Sequence, residues 1–133
     1  MHLAPTLLLL LAQHGAQADM PDCTSAITQQ DMTHCAALDW QKADDALNEQ
    51  WRETAAEMRR LDAATSADDG RAGYFAQLLK AQRAWLSFRD AHCTSEGFYA
   101  RGGSMEPMLV AQCKAELTRE RTRQLRELAQ YPR

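Results

Sequence analysis

The residues with chemical potential fall into three groups. The first is polar and spaced as on helices: Asp44 and Asn48, Gln82 and Arg89, Thr118 and Arg121 each sit on or beside an apolar stripe of their segment. Such side chains can line a catalytic or ligand cleft, or they can close on one another inside a bundle. An arginine on an inner stripe must find an acceptor on another segment, and an Asp44–Arg89 ion pair with two-pronged geometry supplies one. We read Asp44, Asn48, Gln82, Arg89 and Arg121 as a buried polar network that fixes helix register.

The second group is sulfur and imidazole. His34-Cys35 and His92-Cys93, with Cys23 and Cys113, hold enough donors for zinc, but no C-x₂-C pair is present. Four cysteines in a small exported domain read as disulfides. Sequence leaves three pairings open. Cys23–Cys35 with Cys93–Cys113 is the favoured one, because each bond then joins helix ends across a short segment. Each closed loop contributes about 3 kcal/mol in the chain-entropy model.

The third group lies in irregular stretches. Ser104 follows Gly102 and Gly103, yet no G-x-S-x-G pattern surrounds it, so it reads as a helix cap behind flexible glycines. Asp68-Asp69-Gly70 lacks the spacing and the final Glu of a calcium loop and reads as a turn. No constellation here specifies catalysis, and none requires a cofactor.

These groups depend on helices to position them. Thr28-Gln29-Gln30-Asp31 resembles a capping box with Asp in place of Glu, which starts a helix near Gln29. Met32, Ala36, Trp40, Ala43, Leu47, Trp51, Thr54, Met58 and Leu61 then keep one stripe, as one long helix or as two pieces broken near Asp39. Residues 63–73 contain two glycines among cap-type residues and form a loop. A second helix runs over residues 74–93 with Phe75, Leu78, Leu79, Trp85, Leu86 and Cys93 inward, followed by an irregular stretch over residues 94–106. A last helix, opened by Ser104, Glu106 and Pro107, carries Met108, Cys113, Leu117, Arg121, Leu125 and Leu128. The expected architecture is all-α: an antiparallel bundle of three long helices, or four, tied by two disulfides.

Length and charge narrow the partners. The chain has 133 residues, with 15 Lys and Arg against 18 Asp and Glu and a formal net charge of −3. That mild balance argues against nucleic acid and anionic membrane, and permits a basic protein. Residues 1–18 read as a cleaved signal peptide, with a short apolar run and Ala16-Gln17-Ala18 before Asp19. The rest, residues 19–133, reads as a single exported domain, periplasmic or secreted, with no apolar run of the roughly 20 residues that a span needs.

Several ordered pieces of the chain match one family. They are Asp22-Cys23, Thr28-Gln29-Gln30-Asp31-Met32-Thr33-His34-Cys35-Ala36, Ala43-Asp44-Asp45-Ala46-Leu47-Asn48-Glu49-Gln50-Trp51 and Ala81-Gln82-Arg83-Ala84-Trp85. Phe88-Arg89-Asp90-Ala91-His92-Cys93, Gly102-Gly103-Ser104-Met105-Glu106-Pro107-Met108, Cys113 and Leu117-Thr118-Arg119-Glu120-Arg121 complete the set. On these the chain resembles the LprI-type lysozyme-inhibitor family, small exported bacterial helical proteins. Trp51 stands where relatives usually show Tyr, and Thr33 where they usually show Asn. The resemblance implies inhibition of lysozyme-like muramidases by binding, with no catalytic residues; the alternative is a cell-envelope protein-interaction module with another partner. Our own reading of the residues adds a candidate binding loop, Arg101-Gly102-Gly103-Ser104, bracketed by Cys93 and Cys113.

Overall fold

In the computed structural model, which describes residues 20–65 and 68–130, three α-helices form an up-down-up bundle. The signal peptide expected over residues 1–18 lies outside the described residues. Helix α1 spans Gln29–Ala64, α2 Tyr74–Gly97 and α3 Glu106–Ala129, with a 3₁₀ turn at Phe98–Ala100 between the last two. At 36 residues α1 is about 54 Å long, some 18 Å longer than either partner. Among the described residues there is no strand, and no helix is long and apolar enough to cross a membrane.

Local chemistry explains the boundaries. Thr28 is extended, and its hydroxyl accepts the Asp31 N–H at 3.1 Å, starting α1. The helix does not break near Asp39: it has no Gly or Pro there, and the Asp39 carboxylate pairs with Arg119 of α3 at 2.9 Å. Helix α2 has only Gly73 at its cap. Its acceptor comes from another helix, since the Asp62 carboxylate of α1 takes the Tyr74 and Phe75 N–H groups at 2.7 and 3.0 Å. A Cβ on Gly73 would stand 2.7 Å from Asp62 Oδ1, so glycine makes room for that borrowed cap.

The apolar centre is Leu47, Met58, Leu78 and Leu125, with Trp51, Leu61, Phe75 and Trp85 packed against it. Helix α1 packs mostly on α3, where small buried residues (Ala36, Ala43 and Ala55 on α1, Ala111 and Ala115 on α3) permit close approach. Two apolar residues expected inside are exposed instead. Leu86 falls on the flank of α2, whose buried line is Leu78, Gln82, Arg89, Cys93 and Gly97, and Leu128 sits in the last turn of α3 beyond Leu125.

The second helix also runs one turn past its expected end at Cys93. Gly97 closes it as a contact residue: a Cβ there would lie 2.4 Å from Val110 Cγ2 of α3. Alanine normally stabilises a helix relative to glycine, but here overpacking against a stiff β-branched side chain reverses the sign. Gly97→Ala is therefore expected to destabilise by about 1–3 kcal/mol in urea unfolding, and Val110→Ala in the same chain to recover most of that loss. Equal stability of Gly97→Ala and wild type would show that the helices part without cost.

Candidate functional site

The two disulfides follow the expected pairing. Cys23–Cys35 pins the lead-in to α1, and Cys93–Cys113 ties the end of α2 to the first half of α3, with Cα–Cα distances of 5.5 and 5.4 Å. No cysteine among the described residues is free. His92, Glu96 and Cys113 bring donor atoms near one another, but the Cys113 sulfur is bonded to Cys93 and is not a thiolate. His34 is exposed on α1, away from that group.

The polar network centres on Arg89, which is 6% exposed. Its Nη1 donates to Asp44 Oδ1 at 3.1 Å and to Thr118 Oγ1 at 3.3 Å, while Nε donates to Asp90 Oδ1 at 3.0 Å. The guanidinium lies 5.6 Å from the Trp40 ring centre and 5.1 Å from that of Trp85, within cation–π range of both indoles. Lys114 adds a second cation, 3.5 Å from Asp90 Oδ1 and 4.5 Å above Trp40. Beside this cluster Arg121 Nε donates to Gln82 Oε1 at 2.9 Å, and burial pulls the Arg121 guanidinium below its ordinary value. Asn48 does not join the interior: its position on α1 faces solvent, and its amide reaches only Asp44 Oδ2 at 3.4 Å.

Arg89, Lys114 and Arg121 each meet acceptors within the protein, and the geometry describes a clasp between helices more than a site awaiting substrate. Asp44 and Asp90, 40% and 54% exposed, carry its charge to the surface. Sequence reasoning missed Asp90 and Lys114, which lie one step off the inner stripes. It also missed a second cluster, in which Gln50 donates to Thr54, Thr54 donates to the Leu125 carbonyl at 2.9 Å, and Arg126 donates to Gln50. The four-residue step from Gln50 to Thr54 on the buried face was the available signal.

The candidate loop occupies the end of the bundle. Arg101, Gly102, Gly103 and Ser104 are all exposed. Gly102 takes φ +78°, a left-handed conformation suited to glycine, and donates its N–H to Glu106 Oε2 at 2.6 Å. Gly103 N–H donates to Ala100 O at 2.8 Å, and the Arg101 guanidinium stacks 4.3 Å from the Phe98 ring centre. Ser104 is not the cap of α3. That position is Met105, whose helical φ and ψ lack the extended geometry of a side-chain cap, and no side chain caps there. Ser104 stays in solvent.

Between α1 and α3, Thr33, Ala37, Trp40, Pro107, Val110 and Ala111 with Glu106 line an open, mainly apolar cleft of about 430 Å³. The Trp40 indole N–H is buried without an acceptor among the described residues.

Comparison with known proteins places the chain. The family model described as "Lysozyme inhibitor LprI" matches residues 20–125. An uncharacterized protein of Rhizobium meliloti is 49% identical over 129 residues, covering 94% of this chain and 93% of that one. No solved structure matches.

Proposed function

The chain belongs to the lysozyme inhibitor LprI family, and from that premise we propose that it is an exported protein that inhibits lysozyme-like muramidases by binding them. The family match over residues 20–125 carries the reading. Two disulfides and the absence of a membrane-spanning helix among the described residues are consistent with a periplasmic or secreted location. The action proposed is steric and electrostatic, without turnover.

The exposed tip supports the same reading in physical terms. Lysozyme cleaves its glycan with a Glu acid and an Asp carboxylate set in an open cleft. Arg101 offers a cation, Ser104 a hydroxyl, and Gly102 and Gly103 let the backbone approach closely. The disulfide below limits the conformational freedom that binding must remove.

The test is lysis of a peptidoglycan suspension by c-type lysozyme, with and without the oxidised protein over residues 19–133, beside a direct binding titration. Stoichiometric inhibition is the expected result. Arg101→Glu combined with Ser104→Ala is expected to abolish inhibition with helicity unchanged, since a carboxylate would then face the catalytic pair. Undiminished inhibition by that variant would rule the loop out. No binding to c-type, g-type or bacterial muramidases would favour the second reading, a cell-envelope interaction module; the apolar cleft beside Trp40 is the feature that supports it.

A further inference from the structure

Tyr99 is 89% exposed, more than any other large hydrophobic residue among the described ones. Its surroundings explain why that exposure is informative. The 3₁₀ turn beneath it is held on all sides: by the Cys93–Cys113 bond, by Gly97 against Val110, by Arg101 N–H donating to Phe98 O at 3.2 Å, and by Gly103 N–H donating to Ala100 O at 2.8 Å. Glu106 closes the far side through the Gly102 N–H. A side chain this exposed contributes little to folding, yet its base is tied by a disulfide, a close helix contact and backbone hydrogen bonds. That combination, a rigid platform under a projecting aromatic, lowers the ordering cost of binding. Two residues on, Arg101 is exposed and stacks on Phe98, so the same short turn offers a phenol and a guanidinium to solvent. Tyrosine and arginine are the residue types that most often dominate binding energy.

We propose that Tyr99 is the anchor of the tip and enters the glycan cleft of the muramidase as a stand-in for a sugar ring. The inference rests on the muramidase-binding reading above and specifies how that partner is met. A phenol is close to a pyranose in size, presents a flat apolar face and carries one hydroxyl that both donates and accepts. A cleft built for glycan offers apolar walls with a few polar groups, the surroundings such a group needs. Arg101 then lies within reach of the cleft's carboxylates, where a charge-assisted pair forms in a partly desolvated site. A projecting wedge fits a groove and not a flat face, so the partner surface is concave and acidic at its centre. Inhibition is accordingly competitive with saccharide.

The experiment titrates c-type lysozyme with the wild-type protein, Tyr99→Ala and Tyr99→Phe, each with and without a saturating N-acetylglucosamine trisaccharide. Tyr99→Ala is expected to weaken binding at least about 30-fold with an unchanged melting temperature, the size of a hot-spot loss. Tyr99→Phe should fall between, and the trisaccharide should block wild-type binding. Wild-type binding with Tyr99→Ala within about twofold of it, or a ternary complex with trisaccharide bound, would overturn the anchor while leaving the inhibitor function standing. Absence of wild-type binding to any muramidase would overturn both.

Discussion

Replacing Arg89 with alanine is expected to lower the unfolding free energy by about 3 kcal/mol and the melting temperature by roughly 10 °C. Two losses combine. The first is electrostatic: Asp44, Asp90 and Thr118 lose their common donor. Because both carboxylates reach solvent they rehydrate in part, which keeps this share below that of a fully buried pair. The second is volume, for Arg89 is buried beside Trp40 and Trp85 and truncation to alanine removes its packed side chain from there. Arg89→Met separates the two, since it retains the stem while deleting the charge, and it should cost about half as much as alanine. Thermal and urea unfolding followed by tryptophan fluorescence measures both variants. A wild-type melting temperature for Arg89→Ala would mean that the clasp is incidental to the bundle.

Removing the Cys93–Cys113 disulfide with paired serines should cost about 3 kcal/mol in stability, and removing Cys23–Cys35 about the same, since the spanned segments are 20 and 12 residues. Their effects on inhibition should diverge. The first bond underlies the 3₁₀ turn and the loop after it, so its loss frees Tyr99 and Arg101 to sample conformations that binding must then select against. Binding measured well below the melting temperature is expected to weaken about tenfold or more, chiefly through faster dissociation. The second bond fastens only the polar lead-in to α1, and its removal should leave affinity unchanged. Equal losses of affinity in the two variants would point to global stability, not tip geometry, as the cause.

Sequence patterning predicts the frame of this molecule well, for reasons visible at single residues. Thr28 offers a hydroxyl where the stripe begins, the glycines at 70 and 73 interrupt it, and the favoured cysteine pairing across short segments is the one formed. Asp44 and Arg89 share the inward phase of their helices, which is why their pairing is legible before any coordinates. What periodicity misses is set by tertiary contact. Gly97 looks like a helix breaker, but its missing Cβ is what lets α2 touch Val110. Leu86 looks like core and is exposed because Gln82 and Arg89 occupy the buried line. Ser104 has the type of a cap without the backbone for one. Tyr99 carried no signal, for an aromatic in an irregular stretch reads equally as core or surface until its turn is built.

The borrowed cap at Asp62 has a consequence for how the chain orders itself. Helices in proteins take most of their stability from tertiary packing, and α2 begins with no side-chain acceptor of its own. Its first turn is completed by the Asp62 carboxylate near the end of α1, which must lie alongside to accept the Tyr74 and Phe75 N–H groups. The two helices therefore gain and lose order together at this corner, and the turn bearing Tyr99 lies at the opposite end of α2. Because the Cys93–Cys113 bond and the hydrogen bonds around Phe98–Ala100 hold the far turn by themselves, fraying at the Asp62 corner would stop short of Tyr99, and the two poles of the molecule can loosen independently.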